Sequence, residues 1–348
     1  MSKIKKGLYL GLWLGGLFVL LLLTIGGAVS IGSVDIPFVE VWRIIARHLL
    51  GSHEWLGAAP DEVVEAIVWQ IRLPRTLLAA MVGASLASAG VVFQGILRNP
   101  LADPYILGVS SGAALGAVIA IVTGWGTLLF GGWSLPGFAF LFASLSLFIV
   151  LRLARIENQM STGTLILSGV VVQAFLGAVL TFVISLSPEQ LLEIHYWLMG
   201  SLALRDWSHA GIVLPFLVLG FPLMWACSRE LNLFALGDRS AGHLGVPVEK
   251  VRFFLLVIAS LITAGAVSVS GTIGFVGLVI PHIMRMLTGP DHRLLLPVSA
   301  LTGAVFLVWA DTIARVVMEP RELPIGVITA FVGAPFFAFL LRKQRRIY

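Results

Sequence analysis

The chain has 348 residues, of which 58% are hydrophobic and only 12% charged, and its mean hydropathy is +0.98. Soluble domains carry about 25% charged residues, so this composition excludes a soluble enzyme or binding module and indicates a polytopic membrane protein. The net charge of +5 and pI near 9.7 do not indicate a nucleic-acid partner, because basic residues in such chains chiefly set orientation across the lipid bilayer.

Lys3, Lys5 and Lys6 precede an apolar run at residues 8–29. That run exceeds the roughly 7–15 residues of a signal-peptide core and suits a span of about 20. Residues 31–70 are more polar, and an amphipathic helix is expected over 39–50, lying on the outer surface. Ile71-Arg72-Leu73-Pro74-Arg75 opens a second span, rich in small residues from Gly83 to Gly90. Small residues let backbones approach closely, so this helix belongs inside a bundle. Between Asn99 and Gly112 two prolines and several small polar residues interrupt the hydrophobic pattern. Irregular backbone at membrane depth survives only where protein or a water-filled cavity satisfies it. Asn99, Asp103, Ser110, Ser111 and Gly112 are therefore candidates for a translocation path, with a plain turn as the alternative.

Further spans are expected at 113–121 (extended upstream by the turn at 101–112), 135–151 and 165–185. A short outer helix falls within 188–205, and spans follow at 207–226, 253–269, 273–287, 294–314 and 325–341. The fold class read from this pattern is all-α: ten transmembrane helices in one domain over residues 1–348. Both termini are expected on the cytoplasmic side, where most of the 23 lysines and arginines then fall. The blocks 72–185 and 252–341 each hold four spans and start on opposite sides, as inverted repeats in transporters do.

A polar, glycine-punctuated island at about 231–250 separates two apolar runs. A loop this long inside a compact membrane protein usually has its own task. Asp238 is expected to cap a short helix over 239–244, ended by Gly245 and Pro247. The island reads as a helix at the membrane surface, offered to a cytosolic partner; an ordinary connecting loop is the bland alternative.

Catalytic chemistry is missing from the sequence. It holds no Gly-x-x-x-x-Gly-Lys-[Ser/Thr] phosphate loop and no His-Glu-x-x-His. The seven histidines lack ligand spacing, and the single cysteine, Cys227, excludes a disulfide or cysteine-built metal site. No catalytic residue, metal or cofactor is expected in this chain. Asp311 stands four residues before Arg315, a spacing that pairs them on one helix face. Arg72, Arg75 and Arg315 fall at the outer surface, against the positive-inside bias. A guanidinium there suits an acidic partner, because its fork matches a carboxylate.

At these residues the sequence resembles a known family, the FecCD-type permease subunits of type II ABC importers for iron chelates, haem and vitamin B12. The resemblance runs from about Arg72 to Leu341 and rests on several motifs. They are Arg72-Leu73-Pro74-Arg75, Asn99-Pro100-Leu101-Ala102-Asp103-Pro104, Leu236-Gly237-Asp238-Arg239-Ser240-Ala241, Gly274-Phe275-Val276-Gly277, Asp291-His292-Arg293 and Glu322-Leu323-Pro324-Ile325-Gly326.

The resemblance implies a homodimer in a bacterial or archaeal cytoplasmic (inner) membrane, working by alternating access. Two separate ATPase subunits would bind ATP and Mg, and a substrate-binding protein would dock outside. Leu236, Gly237, Asp238, Arg239, Ser240, Ala241 and Gly245 match the family's ATPase-coupling segment. Arg72, Arg75 and Arg315 match its binding-protein docking positions. The cargo stays open among siderophore, haem and corrinoid. A proton-coupled secondary transporter acting without an ATPase is the rival; it calls for several embedded carboxylates, and Asp311 is the deep candidate.

Overall fold

The computed structural model describes residues 3–51, 60–125, 133–155 and 160–344; these are helical, with no strand among them. Seven helices are long and apolar enough to cross a membrane, and three shorter apolar ones accompany them. Every expected span falls on one of these.

The first helix, α1 (Lys3–Ser30), leads to α2 (Phe38–Leu50), which buries Val41, Ile44 and Ile45 on one face, as its amphipathic pattern requires. Together with Ile25, Val29, Val68 and Leu73 these residues form a small satellite core. The next helix, α3 (Glu62–Leu97), is the axis of the molecule. It starts well before the expected boundary near Arg72. Asp61 caps it by accepting the Val63 N–H at 2.8 Å, and Val63 to Val68 continue the apolar face. A π-helical turn over Ile67–Arg72 widens the helix just before Pro74, and the Leu73 N–H bonds back to the Val68 carbonyl. Such a turn takes up the donor and the space that a proline denies a regular helix.

After α3 come α4 (Val109–Thr123), α5 (Ser134–Ala154), α6 (Thr162–Ser185), the short α7 (Leu191–Leu198) and α8 (Trp207–Ala226). Two small helices, α9 (Ser228–Phe234) and α10 (Asp238–His243), form the island. The last four are α11 (Val248–Ser270), α12 (Val276–Thr288), α13 (His292–Val316) and α14 (Ile325–Gln344).

Small residues set the core. A methyl group added at Gly83 would collide with the Gly303 carbonyl, and one at Gly90 with the Gly277 carbonyl. The helices α13 and α12 therefore lie directly against the α3 backbone, as the run from Gly83 to Gly90 foretells. The helix α3 also defines two ends of the bundle. Arg75 lies near one end and Arg98 at the other, about 35 Å apart at 1.5 Å per residue.

The two breaks in the helical pattern are related. Residues 98–108 lead from the Arg98 end into a 3₁₀ turn, Pro104–Leu107, and left-handed Gly108 (φ 76°) then starts α4. Residues 271–275 follow α11, and left-handed Phe275 (φ 68°) then starts α12. The breaks touch: the Tyr105 hydroxyl donates to the Ile273 carbonyl at 3.0 Å and accepts from the Ile273 N–H at 3.2 Å. Each block thus has a short second span that begins inside the bundle, a feature shared by transporters built from inverted repeats.

Candidate functional site

The residues singled out in the sequence fall into three groups in the bundle.

At the Arg75 end lies a compact ionic cluster. Arg75 donates from Nε to both Asp311 carboxylate oxygens at 3.1 Å, and from Nη2 to Oδ1 at 2.8 Å. Its Nη1 reaches Glu322 at 3.0 Å. Asp311 is 1% exposed and also faces Arg315, 3.4 Å away. The expected Asp311–Arg315 pair is therefore present, but the closer partner is Arg75, from a helix far away in sequence. Arg315 also donates to the Ala28 carbonyl at 3.0 Å. Arg72 is spent on backbone: it donates to the carbonyls of Val29, Ser30 and Val34 at 2.9, 3.2 and 2.7 Å. Arg72 and Arg315 thus fasten the end of α1 to α3 and α13. The three arginines, with Glu319 and Glu322, line a polar cleft of about 340 Å³.

The residues proposed for the path begin beside Arg98, at the other end of α3, and run from there into the bundle. Asn99 accepts the Leu101 N–H at 2.9 Å and Asp103 accepts the Tyr105 N–H at 2.8 Å, so both carboxamide and carboxylate shape the break itself. Gln173 of α6 donates to the Tyr105 carbonyl at 2.7 Å, and Ser146 of α5 to the Gly108 carbonyl at 2.9 Å. The irregular backbone is satisfied by protein side chains, which is the condition for keeping it at membrane depth. Ser110 and Ser111 are half-buried, whereas Gly112 is buried. A methyl group at Gly112 would stand 2.5 Å from the Phe142 carbonyl, so this glycine serves the close approach of α4 and α5.

At the Arg98 end sits the island. The helix α10 spans Asp238–His243, one residue earlier than expected, and its cap is Gly237 (φ 96°), not Asp238. The Asp238 carboxylate turns away from its own helix, to Arg252 at 2.7 Å and Arg98 at 3.7 Å. Two cations, Arg252 buried and Arg98 exposed, outcompete local capping, because a charge-assisted contact is the stronger one.

The far end of α10 matches its reading. Gly245 has φ 85°, its N–H bonds to the Gly242 carbonyl at 3.0 Å, and the Val246 N–H bonds to the Ala241 carbonyl at 3.1 Å. This is a Schellman motif, and the buried side chains of Ala241 and Val246 supply its apolar contact. Leu236, Arg239, Ser240, His243, Leu244 and Gly245 face outward, while Ala241 is turned fully inward.

Sequence reasoning missed Glu322 and Arg252 as partners in these clusters. Glu322 lies inside a quoted motif, and Arg252 stands at the basic margin of the island; nothing local shows which distant carboxylate or carbonyl each one meets. Among the described residues, no group of three or more His, Cys, Asp or Glu could hold a metal ion.

An internally fixed helical island at one end and an arginine-lined cleft at the other agree with the resemblance, and the family comparison decides it. The model of the FecCD transport family matches residues 18–343. The chain belongs to the FecCD transport family. It is 46% identical over 345 residues to the uncharacterised ABC transporter permease protein YvrB of Bacillus subtilis, covering 99% of this chain and 96% of that one. It is 49% identical over 283 residues to the cobalamin import system permease protein BtuC of Halobacterium salinarum (81% and 75% covered). With the vitamin B12 import system permease protein BtuC of Citrobacter koseri it shares 40% over 337 residues (96% and 95% covered). A solved ABC transporter of metal-chelate type, in an inward-facing conformation, superposes with a TM-score of 0.82 at 34% identity, covering 95% of this chain and 98% of the other. The protein is an ABC importer permease, a multi-pass membrane subunit of the vitamin B12 and metal-chelate type.

Proposed function

We propose that this chain carries a corrinoid across the cytoplasmic membrane as one half of a homodimer, driven by two separate ATPase subunits and fed by a substrate-binding protein. The observation that carries this reading is α10. It is fixed from behind by buried contacts, yet Leu236 and Leu244, which flank it, stand 61% and 55% exposed. Apolar side chains held out on a rigid helix in a polar surface mark a seat for a partner. The basic residues around the island support a cytosolic position for this end.

The polar cleft at the other end then faces outward, where Arg72, Arg75 and Arg315 meet an acidic surface of the binding protein. The most exposed of the apolar helices include α6 and α14; α6 presents Phe175 and Phe182, and α14 presents Phe331 and Phe339. A second copy covering these faces would enclose a path between the subunits, reached from the break at Asn99, Asp103, Ser110 and Ser111. ATP closure drives the two α10 helices together, and the bundles rock to open one side. The named relatives support a corrinoid as cargo. The chain itself needs no cofactor and no catalytic residue for this task, since ATP and Mg stay with the ATPase.

The test is reconstitution in proteoliposomes with the cognate ATPase and binding protein. Radiolabelled cyanocobalamin should accumulate only with internal MgATP and all three components. Uptake of a ferric siderophore or haem instead of cobalamin would reassign the cargo. Uptake by this subunit alone under a proton gradient would overturn the importer reading in favour of a secondary transporter.

A further inference from the structure

Behind the proposed ATPase seat lies a contact that the functional reading does not use. Arg252, in the first turns of α11, is 2% exposed although it is charged. Its Nη2 stands 2.7 Å from Asp238 on α10. Its Nη1 donates to the Met160 carbonyl at 2.7 Å. One turn earlier on α11, Glu249 accepts the Met160 N–H at 3.1 Å and lies 3.3 Å from Arg252. Phe234 of α9 stacks under the guanidinium, 6.0 Å from ring centre to carbon. One side chain thus grips both island helices and, with Glu249, both polar backbone groups of Met160.

Met160 is not an arbitrary residue. Ser161 follows it and caps α6 through a reciprocal pair with Thr164, the Thr164 N–H donating to the Ser161 hydroxyl at 3.1 Å. A capped helix start moves with its cap, and the cap is fixed to Met160. Elsewhere α6 packs on α4, α5 and the 104–107 turn. A planar guanidinium that is itself buried and held on several sides keeps its geometry far better than an exposed lysine would.

We propose that Arg252 is the transmission residue of this transporter, a positioning residue that carries displacement of α10 to the start of α6. The inference rests on the reading of α10 as the ATPase seat. It adds that the path-forming helix is driven through one charged clamp, with Glu249 as its second jaw.

The experiment uses the complete transporter in nanodiscs, with Cys227→Ser as background. Spin labels at Leu167 on α6 and Val19 on α1, both exposed, report the position of α6. A third cysteine, Leu244→Cys, is cross-linked to the ATPase in a parallel sample. With MgATP and vanadate the wild-type clamp should shift the Leu167–Val19 distance. In Arg252→Gln that shift should fall to about half or less while ATP hydrolysis stays within about twofold, a split that loss of fold does not produce. Asp238→Asn, which leaves Arg252 and Met160 joined, covers the case in which Arg252→Gln does not fold. It should cut the shift in the same way with the cross-link intact, and the double variant should be no worse than either single one. A full shift in Asp238→Asn or in a folded Arg252→Gln, with the cross-link formed, overturns the clamp alone. Failure of Leu244→Cys to cross-link while α6 still moves overturns the seat, and the clamp falls with it.

Discussion

Arg75 and Arg252 are both buried arginines at the ends of long helices, each facing two carboxylates, yet they sit in opposite mechanical settings. Arg75 joins α3 to α13, two helices already locked by the backbone contact of Gly83 with Gly303. Arg252 joins α10 to the start of α6, segments with little else between them. Where helices are interlocked, an ion pair adds no freedom to transmit and acts as scaffold. Where they are not, the same pair becomes the link. Loss of Arg75 should therefore register as stability, and loss of Arg252 as coupling.

The largest expected effect breaks the scaffold side of this contrast. Arg75→Ala leaves Asp311, 1% exposed, facing only the more distant Arg315. Removing one partner of a buried pair costs about 3–5 kcal/mol because the remaining charge is stranded. We expect poor yield of the dimer and a large fall in thermal midpoint in detergent, partly restored by Asp311→Asn in the same chain. The sequence alone places Arg75 at a docking rim, where its loss would weaken a complex and spare the fold. A stable Arg75→Ala that merely binds its partner less well would make Arg75 a docking residue alone and remove the contrast.

A smaller effect sharpens the island side. Ala241 and Gly245 belong to one short helix and one sequence motif, but they differ in what surrounds them. Ala241 is fully buried against its own subunit, whereas a methyl group at Gly245 would meet open space. Ala241→Trp should destabilise the subunit by roughly 1–3 kcal/mol or more through overpacking. Gly245→Val should cost about 1–2 kcal/mol from its left-handed backbone alone and leave the bundle assembled. The ATPase pull-down then separates them: Gly245→Val should reduce ATPase retention in a folded subunit. Equal thermal midpoints for the two variants would show that Ala241 faces the partner after all.

Much of this arrangement was legible in the sequence because its cause is local. Apolar runs place the helices, small residues from Gly83 to Gly90 mark the innermost one, and Gly245 announces the end of α10. What stayed hidden depends on distance along the chain. Asp61 and the π-helical turn lengthen α3 through a polar-looking stretch whose apolar face shows only once α2 packs on it. Asp238 has the ideal composition for a helix cap, and only the three-dimensional approach of Arg252 and Arg98 takes it away. Gly112 reads as path lining or as part of a plain turn, and its closeness to the Phe142 carbonyl shows only in three dimensions. The visible i,i+4 spacing pairs Asp311 with its neighbour on the same helix, whereas Arg75 lies 236 residues away.

The smallest effect asks whether the outer cluster is scaffold throughout. Glu322 is the one carboxylate bonded to Arg75 that solvent reaches, 41% exposed against 1% for Asp311. Three arginines and the carboxylates of Asp311, Glu319 and Glu322 meet around the cleft, so the isolated subunit offers an acidic partner no surplus positive charge there. Glu322→Gln keeps an oxygen to accept from Arg75 but removes one negative charge. Exposed pairs contribute about 0.2–1 kcal/mol, so the thermal midpoint should move little. Affinity for the acidic binding protein should instead rise by a few-fold at low ionic strength. The gain should disappear in about 1 M salt, where the screening length falls to about 3 Å. A stability loss as large as that of Arg75→Ala would make Glu322 part of the scaffold. Unchanged affinity at low salt would mean that the partner does not approach this cleft. The expected result is a subunit no less stable and more readily docked, because Glu322 holds the place that an incoming carboxylate must take.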